Sequence, residues 1–210
     1  MNFIEKPYCK RCGHPFNHEF LFINERSFLC ETCYTVRPLY DEARSVIAYN
    51  DLAKKLILRF KYGDATYLAP VFASWLHHLA PDIFSQADCL VSVPLHWTRL
   101  LQRRYNQSAL ICLYLTKLLH PYDIPYLPSL LKRKKRTQPQ DRKTTKERHQ
   151  NVKEAFEVPL YCENYLKEKT AILVDDVMTT GATLEECSKA LRKAGCKKIF
   201  CLTIARTLKK

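Results

Sequence analysis

No apolar run in this chain is long enough to cross a bilayer, and Met1–Tyr8, which carries Glu5 and Pro7, lacks the apolar core of a secretory leader. A cytoplasmic protein with no membrane insertion is therefore expected. Glycine occurs four times in 210 residues and no segment repeats another, so repeat architectures are excluded. Acidic residues are few, 21 against 34 Lys plus Arg, and the formal charge of +13 favours anionic partners. With 47% hydrophobic and 26% charged residues the composition is that of an ordinary soluble domain, and the length suits one α/β domain with a small appendage.

What is present is most concentrated between Ile172 and Leu184. Ala171–Val174 is the short, β-branched run that fills a parallel strand covered on both faces. Asp175 and Asp176 follow, at the carboxyl end where open α/β sheets bind ligands, and adjacent carboxylates accept hydrogen bonds from paired ribose hydroxyls directly or through a divalent metal. Thr179, Thr180, Gly181, Ala182 and Thr183 then supply hydroxyls and a turn whose N–H groups form a nest for a monophosphate. Leu184, Cys187, Leu191 and Ala194, set against Glu185, Glu186, Lys189, Arg192 and Lys193, predict an amphipathic helix that ends before Gly195 and points its N-terminus at the phosphate. The alternatives are a solvated strand-to-helix turn or a site that keeps its shape without catalysis. These thirteen residues resemble the phosphoribosyl-pyrophosphate (PRPP) signature of type I phosphoribosyltransferases, which implies acids on the ribose hydroxyls and the Thr-rich loop on the 5′-phosphate.

Cys9, Cys12, Cys30 and Cys33 form two Cys-x-x-Cys knuckles with seventeen residues between the pairs, the spacing of a closed tetrahedral zinc site. Gly13 relaxes the turn behind the first knuckle; Tyr34 stands at the matching place in the second. His14 and His18 are weaker ligand candidates, and disulfides are disfavoured in a cytoplasmic chain. A ribbon this small buries too little apolar surface alone, so metal binding worth about 10–16 kcal/mol in zinc peptides would hold it folded. The other six cysteines are scattered among apolar neighbours and are expected to be buried thiols without chemistry.

Between these motifs the pattern predicts a strand at Arg44–Tyr49 and a helix from Asp51, as N-cap, to Lys61. In it Leu52, Leu56, Ile57 and Phe60 face inward and Lys54, Lys55, Arg59 and Lys61 outward. A helix at Thr66–Leu79, a strand at Asp88–Val93 and a loop through Arg99 come next, then a helix carrying Leu110–Leu119, and a last strand at Lys198–Ala205. From Lys132 to Lys153 ten Lys/Arg face two acids, which supplies eight of the thirteen net charges and predicts a long, basic, mobile loop at about 132–150.

A narrower resemblance covers nearly the whole chain. The cysteine ribbon, Val93-Pro94-Leu95-His96, the Arg103–Gln107 box, Arg136-Thr137 with Gln140, Arg148 with Asn151-Val152, and the PRPP signature together look like the competence protein ComF family. Arg104-Tyr105 stands where Gly-Phe is common in that family, and Trp97 where proline is. The resemblance implies a type I phosphoribosyltransferase-like parallel sheet flanked by helices (39–210) behind a four-cysteine zinc ribbon (1–38), in a cytoplasmic protein of natural transformation that acts on single-stranded DNA. It also implies PRPP with Mg²⁺ as ligand, with Leu95, His96, Arg99, Arg136 and Arg148 as pyrophosphate candidates. DNA contacts are expected from Arg103, Arg104, Lys132, Arg133, Lys134, Lys135, Arg136, Arg142 and Lys143, with Trp97 and Tyr105 as stacking platforms and Lys10 and Arg11 extending the track. The same charge run also suits a solvated face or a loop closing over pyrophosphate. Three roles stay open: a DNA-handling protein that binds PRPP, a phosphoribosyltransferase acting on a nitrogen acceptor with its catalytic residues unassigned, and a zinc-stapled scaffold for a DNA-translocation helicase. The segment before residue 39 is too short for an acceptor hood, and no amino-terminal cysteine is there to release ammonia from glutamine, so the binding role leads.

Overall fold

The computed structural model describes residues 1–16, 28–135 and 144–208. After a cysteine-bearing segment that includes the short helix α1 (Glu31–Thr35), the chain enters β1 (Glu42–Ala48), two residues ahead of the strand expected at Arg44. Asn50, not Asp51, caps the next helix. Its backbone stays extended and its side-chain oxygen accepts the Ala53 amide at 3.0 Å, while Asp51 already turns within α2 (Asp51–Tyr62). Ala53, Ile57 and Phe60 are buried in α2, whereas Leu52, expected inward, is 47% exposed, because the apolar stripe is centred on Ala53 instead. Helix α3 (Leu68–Leu79) is followed by the single turn α4 (Pro81–Phe84), which proline opens where its missing N–H is not needed.

Strand β2 (Cys89–Ser92) follows, and the loop expected through Arg99 is shorter than its sequence suggested: α5 (Trp97–Arg103) begins at Trp97, and α6 (Gln107–Leu118) comes next. The basic stretch is ordered at both ends. Lys132–Arg133 is β3, antiparallel to β4 (Phe156–Glu157), and α7 (Thr145–Val152) opens with a reciprocal Thr144–Glu147 capping box. Residues 136–143, the middle of the expected mobile loop, lie outside the described residues. Helix α8 (Leu160–Leu166), β5 (Thr170–Met178), α9 (Ala182–Lys193) and β6 (Lys198–Arg206) complete the order.

The main sheet is parallel throughout, in the order β1-β6-β5-β2, and its crossovers are helical as parallel pairing requires. Alternation along the central strands feeds two cores. Ala171, Leu173, Ile199 and Cys201 pack with α9 and the ribbon, while Ile172, Val174, Phe200 and Leu202 pack with α2, α3 and α6. This is the parallel sheet flanked by helices that the PRPP signature implied.

The ribbon is joined to this sheet rather than hung from it. Across the boundary expected at residue 38, Phe3 bridges Ile47, Ile4 N–H donates to Val46 O at 2.9 Å and Ala43 N–H to Arg11 O at 2.7 Å, so the outer edge of β1 is paired. Gly13 makes the second attachment: its φ is +69°, and a Cβ there would stand 2.4 Å from Ala43 O. Alanine at Gly13 adds about 1–2 kcal/mol of left-handed strain to that clash. Gly13→Ala is therefore expected to lower the melting temperature of zinc-loaded protein by several degrees and to speed release of zinc to a chromogenic chelator; an unchanged melt and release rate would show the approach to β1 to be unimportant.

Candidate functional site

Strand β5 holds register with β6 through Asp175 opposite Thr203 and leaves the sheet after Met178, so both acids stand at its carboxyl end. Asp176 is buried, and its Oδ1 lies 2.9 Å from Nζ of Lys61 in the last turn of α2. Helical spacing puts Lys61 among the solvent-facing cations; instead it is half-buried beside the acids. Burial opposes its charge, but Asp176 outweighs the burial and raises the lysine's pKa. Asp175 Oδ1 accepts Ser108 Oγ at 3.1 Å and the Asp176 amide at 2.9 Å. Burial first, and then the charge of Asp176, push the Asp175 carboxyl up to about 7 despite Lys61. Near neutral pH Asp175 is thus poised between its two states, and a cation or a set of hydroxyl donors arriving at the pair draws out the second charge.

Beyond Met178 the chain turns through Thr179–Gly181 into α9. Gly181, at φ +83°, caps α9, and a Cβ on it would meet Met178 Cε at 3.2 Å. The Thr180 hydroxyl accepts the Ala182 amide at 3.4 Å, and the Thr207 hydroxyl holds Thr179 O at 3.1 Å. Thr179, Thr180 and Thr183 are half-exposed and Ala182 is buried, so backbone and hydroxyls rather than apolar side chains line the mouth.

The Arg103–Gln107 box is a bracket that locates these groups. Asn106 caps α6 by accepting the Ser108 and Ala109 amides and donates to Val93 O at 3.0 Å; Tyr105 Oη donates to Phe60 O at 2.6 Å. Arg103 reaches the Tyr62 hydroxyl at 2.9 Å and Gln107 Oε1 at 3.3 Å. The carboxyl end of α2, which carries Lys61, is thereby tied to the start of α6, which carries Ser108. Tyr105 is consequently no stacking platform, because its ring packs on Phe60. Arg104, paired with Asp64 at 3.1 Å, has φ +65°, so the place where the family commonly has glycine does take left-handed backbone here.

The remaining expected residues divide. Arg133, assigned to a DNA-tracking loop, lies half-buried in β3 over the Phe156 ring; burial, then the charges of Arg99 and Arg103, lower its pKa to about 10, and Asp175 raises it. Arg99, Arg103, Arg133 and Asp175 therefore share one electrostatic neighbourhood. His96 is buried as the N-cap of α5, its Nδ1 against the Thr98 amide and hydroxyl, and Leu95 and Arg99 are half-buried beside it. Lys134 and Lys135 are exposed but paired with Glu157 at 3.2 Å and Glu154 at 3.6 Å, and Lys132 lies over the Tyr161 ring. Arg11 is half-buried and donates to Pro38 O and Tyr40 O, both at 3.4 Å. Arg148 sits on α7, which packs against α9. Arg136, Thr137, Gln140, Arg142, Lys143 and His18 lie outside the described residues.

The four ribbon cysteines do converge. Their sulfur atoms all lie within 4.8 Å of one another, Cys12 and Cys30 at 3.6 Å, and the Cys12 and Cys30 amides point at Cys9 Sγ at 3.5 and 3.3 Å. A tetrahedral zinc centre with four thiolates has sulfurs about 3.8 Å apart, so the group can hold a metal ion such as zinc. Hydrogen bonds from neighbouring thiols drive Cys9 and Cys12 toward thiolate, Cys12 to about 6, and leave the protons on Cys30 and Cys33. Four donors that cannot all keep or all lose their protons are what a divalent ion resolves.

Residues 116–210 match the family described as phosphoribosyl transferase domain. The chain is 33% identical over 205 residues to competence protein F of Haemophilus influenzae, an alignment covering 95% of this chain and 85% of that one. The chain belongs to the competence protein F family. Further relatives of this ComF-type chain are the DNA utilization protein YhgH of Escherichia coli strain K12, 27% identical with 97% and 86% coverage, and competence protein ComFC of Streptococcus pneumoniae, 27% identical with 78% and 67% coverage. Among solved structures, the glutamine PRPP amidotransferase of B. subtilis in complex with ADP and GMP aligns at a TM-score of 0.41 and 16% identity, over 70% of this chain and 30% of that one.

Sequence reasoning missed Lys61 and Ser108. Ser108 directly follows the Arg103–Gln107 box, which was a usable signal; Lys61 had none. The raised Asp175 pKa carries a pH signature. The folded state holds this proton up to about 7 while the unfolded chain releases it near 3.8, so the stability it lends is full below about pH 4 and is lost as pH rises to about 7. Asp175→Asn keeps an oxygen for both donors and is expected to flatten that slope and raise the melting temperature at pH 8 by a few degrees. Melts across pH 4–8 check this, and parallel profiles for variant and parent would refute it.

Proposed function

We propose that this chain is a cytoplasmic protein of DNA uptake that binds PRPP with Mg²⁺ at Asp175, Asp176 and the Thr179–Thr183 turn and engages single-stranded DNA beside that site, with zinc holding the ribbon. The observation that carries the reading is the acid pair at the end of β5, poised by Lys61 and Ser108 next to an anion-sized turn. The carboxylates suit vicinal ribose hydroxyls, and the guanidinium groups of Arg99, Arg103 and Arg133 suit pyrophosphate at the other end of the same ligand. Mg²⁺ would supply charge neutralisation between the two anionic ends. The relatives named for competence and DNA utilization support the uptake role. For DNA, the best platform is α5, where Trp97 is 64% exposed with Arg99 two residues on and the exposed Lys132, Lys134 and Lys135 elsewhere.

The arginine neighbourhood also favours a second reading, transfer of ribose 5-phosphate from PRPP to a nitrogen acceptor, because it would stabilise the departing pyrophosphate. Pyrophosphate release that needs both PRPP and an added base or amine distinguishes catalysis from binding.

Calorimetric titration of PRPP and Mg²⁺ into zinc-loaded protein is expected to show saturable binding that Asp175→Asn/Asp176→Asn loses at least tenfold; equal binding by that variant would remove the acids from the site. DNA affinity for an unstructured oligonucleotide is expected to fall at least tenfold between 50 and 200 mM salt and about tenfold on Trp97→Ala. A salt-insensitive complex untouched by Trp97→Ala would end the proposed DNA contact.

A further inference from the structure

Two adjacent carboxylates at a strand end suit a hard divalent cation by their donor set as well as they suit a sugar diol. The third charged group beside them decides between the two. Lys61 Nζ lies 2.9 Å from Asp176 Oδ1, with the lysine side chain 19% and the aspartate side chain 11% exposed. The ammonium brings three donors to this spot, and Asp176 takes one of them.

The chain around Lys61 is gripped residue by residue. Tyr105 Oη donates to Phe60 O at 2.6 Å, Gln107 Nε2 to Lys61 O at 3.5 Å and an Arg103 nitrogen to the Tyr62 hydroxyl at 2.9 Å. Gly63 N–H then closes the helix on Arg59 O at 2.7 Å. Three members of the Arg103–Gln107 box thus hold three consecutive residues of α2, with Lys61 in the middle. Ala53, Ile57 and Phe60 already bury the apolar face of this helix, so the polar ties bear on where its last turn points. A lysine free to swing would give way to any metal ion that approached Asp176; this one is held on both sides.

The cations beyond Lys61 act in the same sense. Arg99, Arg103 and Arg133 share the neighbourhood of Asp175, and Arg103 also lies close enough to Lys61 to oppose its charge. A free divalent ion at the acids would approach an ammonium and these guanidinium groups with no negative charge of its own to offset theirs. Hydroxyl groups meet no such barrier. Among the described residues Oδ2 of each acid accepts nothing, which leaves an oxygen on each for a neutral donor.

We propose that Lys61 is the specificity residue of the acid pair: it serves Asp176 as counter-ion, keeps free divalent cations off both carboxylates and reserves them for the vicinal hydroxyls of a sugar. Mg²⁺ then enters only with the ligand, on its pyrophosphate. The inference rests on the proposed reading of the pair as a ribose-hydroxyl site and adds the residue that makes it one. Arg103, Tyr105 and Gln107 act through Lys61 and are positioning residues.

The test titrates Mn²⁺, a hard ion whose free form is counted by electron paramagnetic resonance, into the zinc-loaded full chain, and PRPP with Mg²⁺ by calorimetry. The parent is expected to show no saturable Mn²⁺ site below millimolar concentration. Lys61→Met should gain a site at least tenfold tighter than any in the parent and lose PRPP at least tenfold. The two changes run in opposite directions, which damage to the fold does not produce. Lys61→Arg keeps a cation in place and should exclude Mn²⁺ as the parent does, and adding Asp175→Asn/Asp176→Asn to Lys61→Met should abolish the new site. Micromolar Mn²⁺ binding by the parent overturns the proposal without recourse to any variant. So do Mn²⁺ affinities within twofold for parent and Lys61→Met, equal Mn²⁺ binding by Lys61→Arg and Lys61→Met, a new site that survives loss of the acids, or undiminished PRPP binding in Lys61→Met. If the parent binds no PRPP, the ribose-hydroxyl reading falls, and the Mn²⁺ titrations alone uphold or overturn the exclusion by Lys61.

Discussion

The Lys61–Asp176 ion pair is the constraint around which the site is arranged. Two adjacent carboxylates at a strand end repel each other and lose hydration together, a combination that costs several kcal/mol unless a cation is fixed beside them. At 2.9 Å and the effective dielectric typical of partly buried pairs, one ammonium recovers about 6 kcal/mol of that. It covers Asp176 and only partly covers Asp175, whose pKa stays high. Asp176 is therefore held by the ion pair while Asp175 stays in reserve, and a ligand's hydroxyls or a metal ion would complete what the protein leaves unfinished. The position of α2 follows from this. Its final turn has to reach the end of β5, and the bonds from Tyr105 to Phe60 O and from Arg103 to Tyr62 hold it there.

The ribbon obeys a comparable logic of attachment. Four thiols within 4.8 Å and a glycine pressed on Ala43 O would be a strained insert in an independent module. Here Arg11, Gly13 and Cys12 are each tied to the sheet, to Tyr40 O, Ala43 and Arg206 in turn. A metal held by the cluster would for that reason be coupled to the packing of β1 and β6, and the space left between cluster and turn has walls drawn from both.

Local chemistry was legible in the sequence wherever a single segment carried it. The turn and helix from Thr179 to Gly195 lie as read, since a turn glycine and helical spacing are each decided within a few residues, but β5 runs past the expected Val174 to Met178 and takes both acids into the strand. The cysteine knuckles converge for the same reason. Groups brought in from elsewhere were not legible. Lys61 looks like any outward cation of an amphipathic helix, and only the docking of α2 on the sheet turns it inward. Arg133 was absorbed into a charge run that composition marks as loop, although two residues of pairing with β4 suffice to bury half of it. Tyr105 reads as an exposed aromatic until the Phe60 carbonyl appears opposite its hydroxyl.

The same distinction revises the meaning of the net charge. A formal +13 is already net of every acid and suggests a surface that attracts any polyanion, but it does not reside on cations held in exposed ion pairs, such as Lys134 with Glu157, Lys135 with Glu154 and Arg104 with Asp64. Exposed pairs of this kind cancel beyond a Debye length of about 8–10 Å, so they contribute little to long-range steering. Arg133 behaves otherwise: burial first, and then the like charges of Arg99 and Arg103, lower its pKa. Cations kept close in a low dielectric raise the local energy of the protein, and an anion that relieves the repulsion gains what the fold has lost. Clustering, more than the total, is thus what would draw an anion to this chain, and it would draw one toward the end of β5, where the acids and the turn stand.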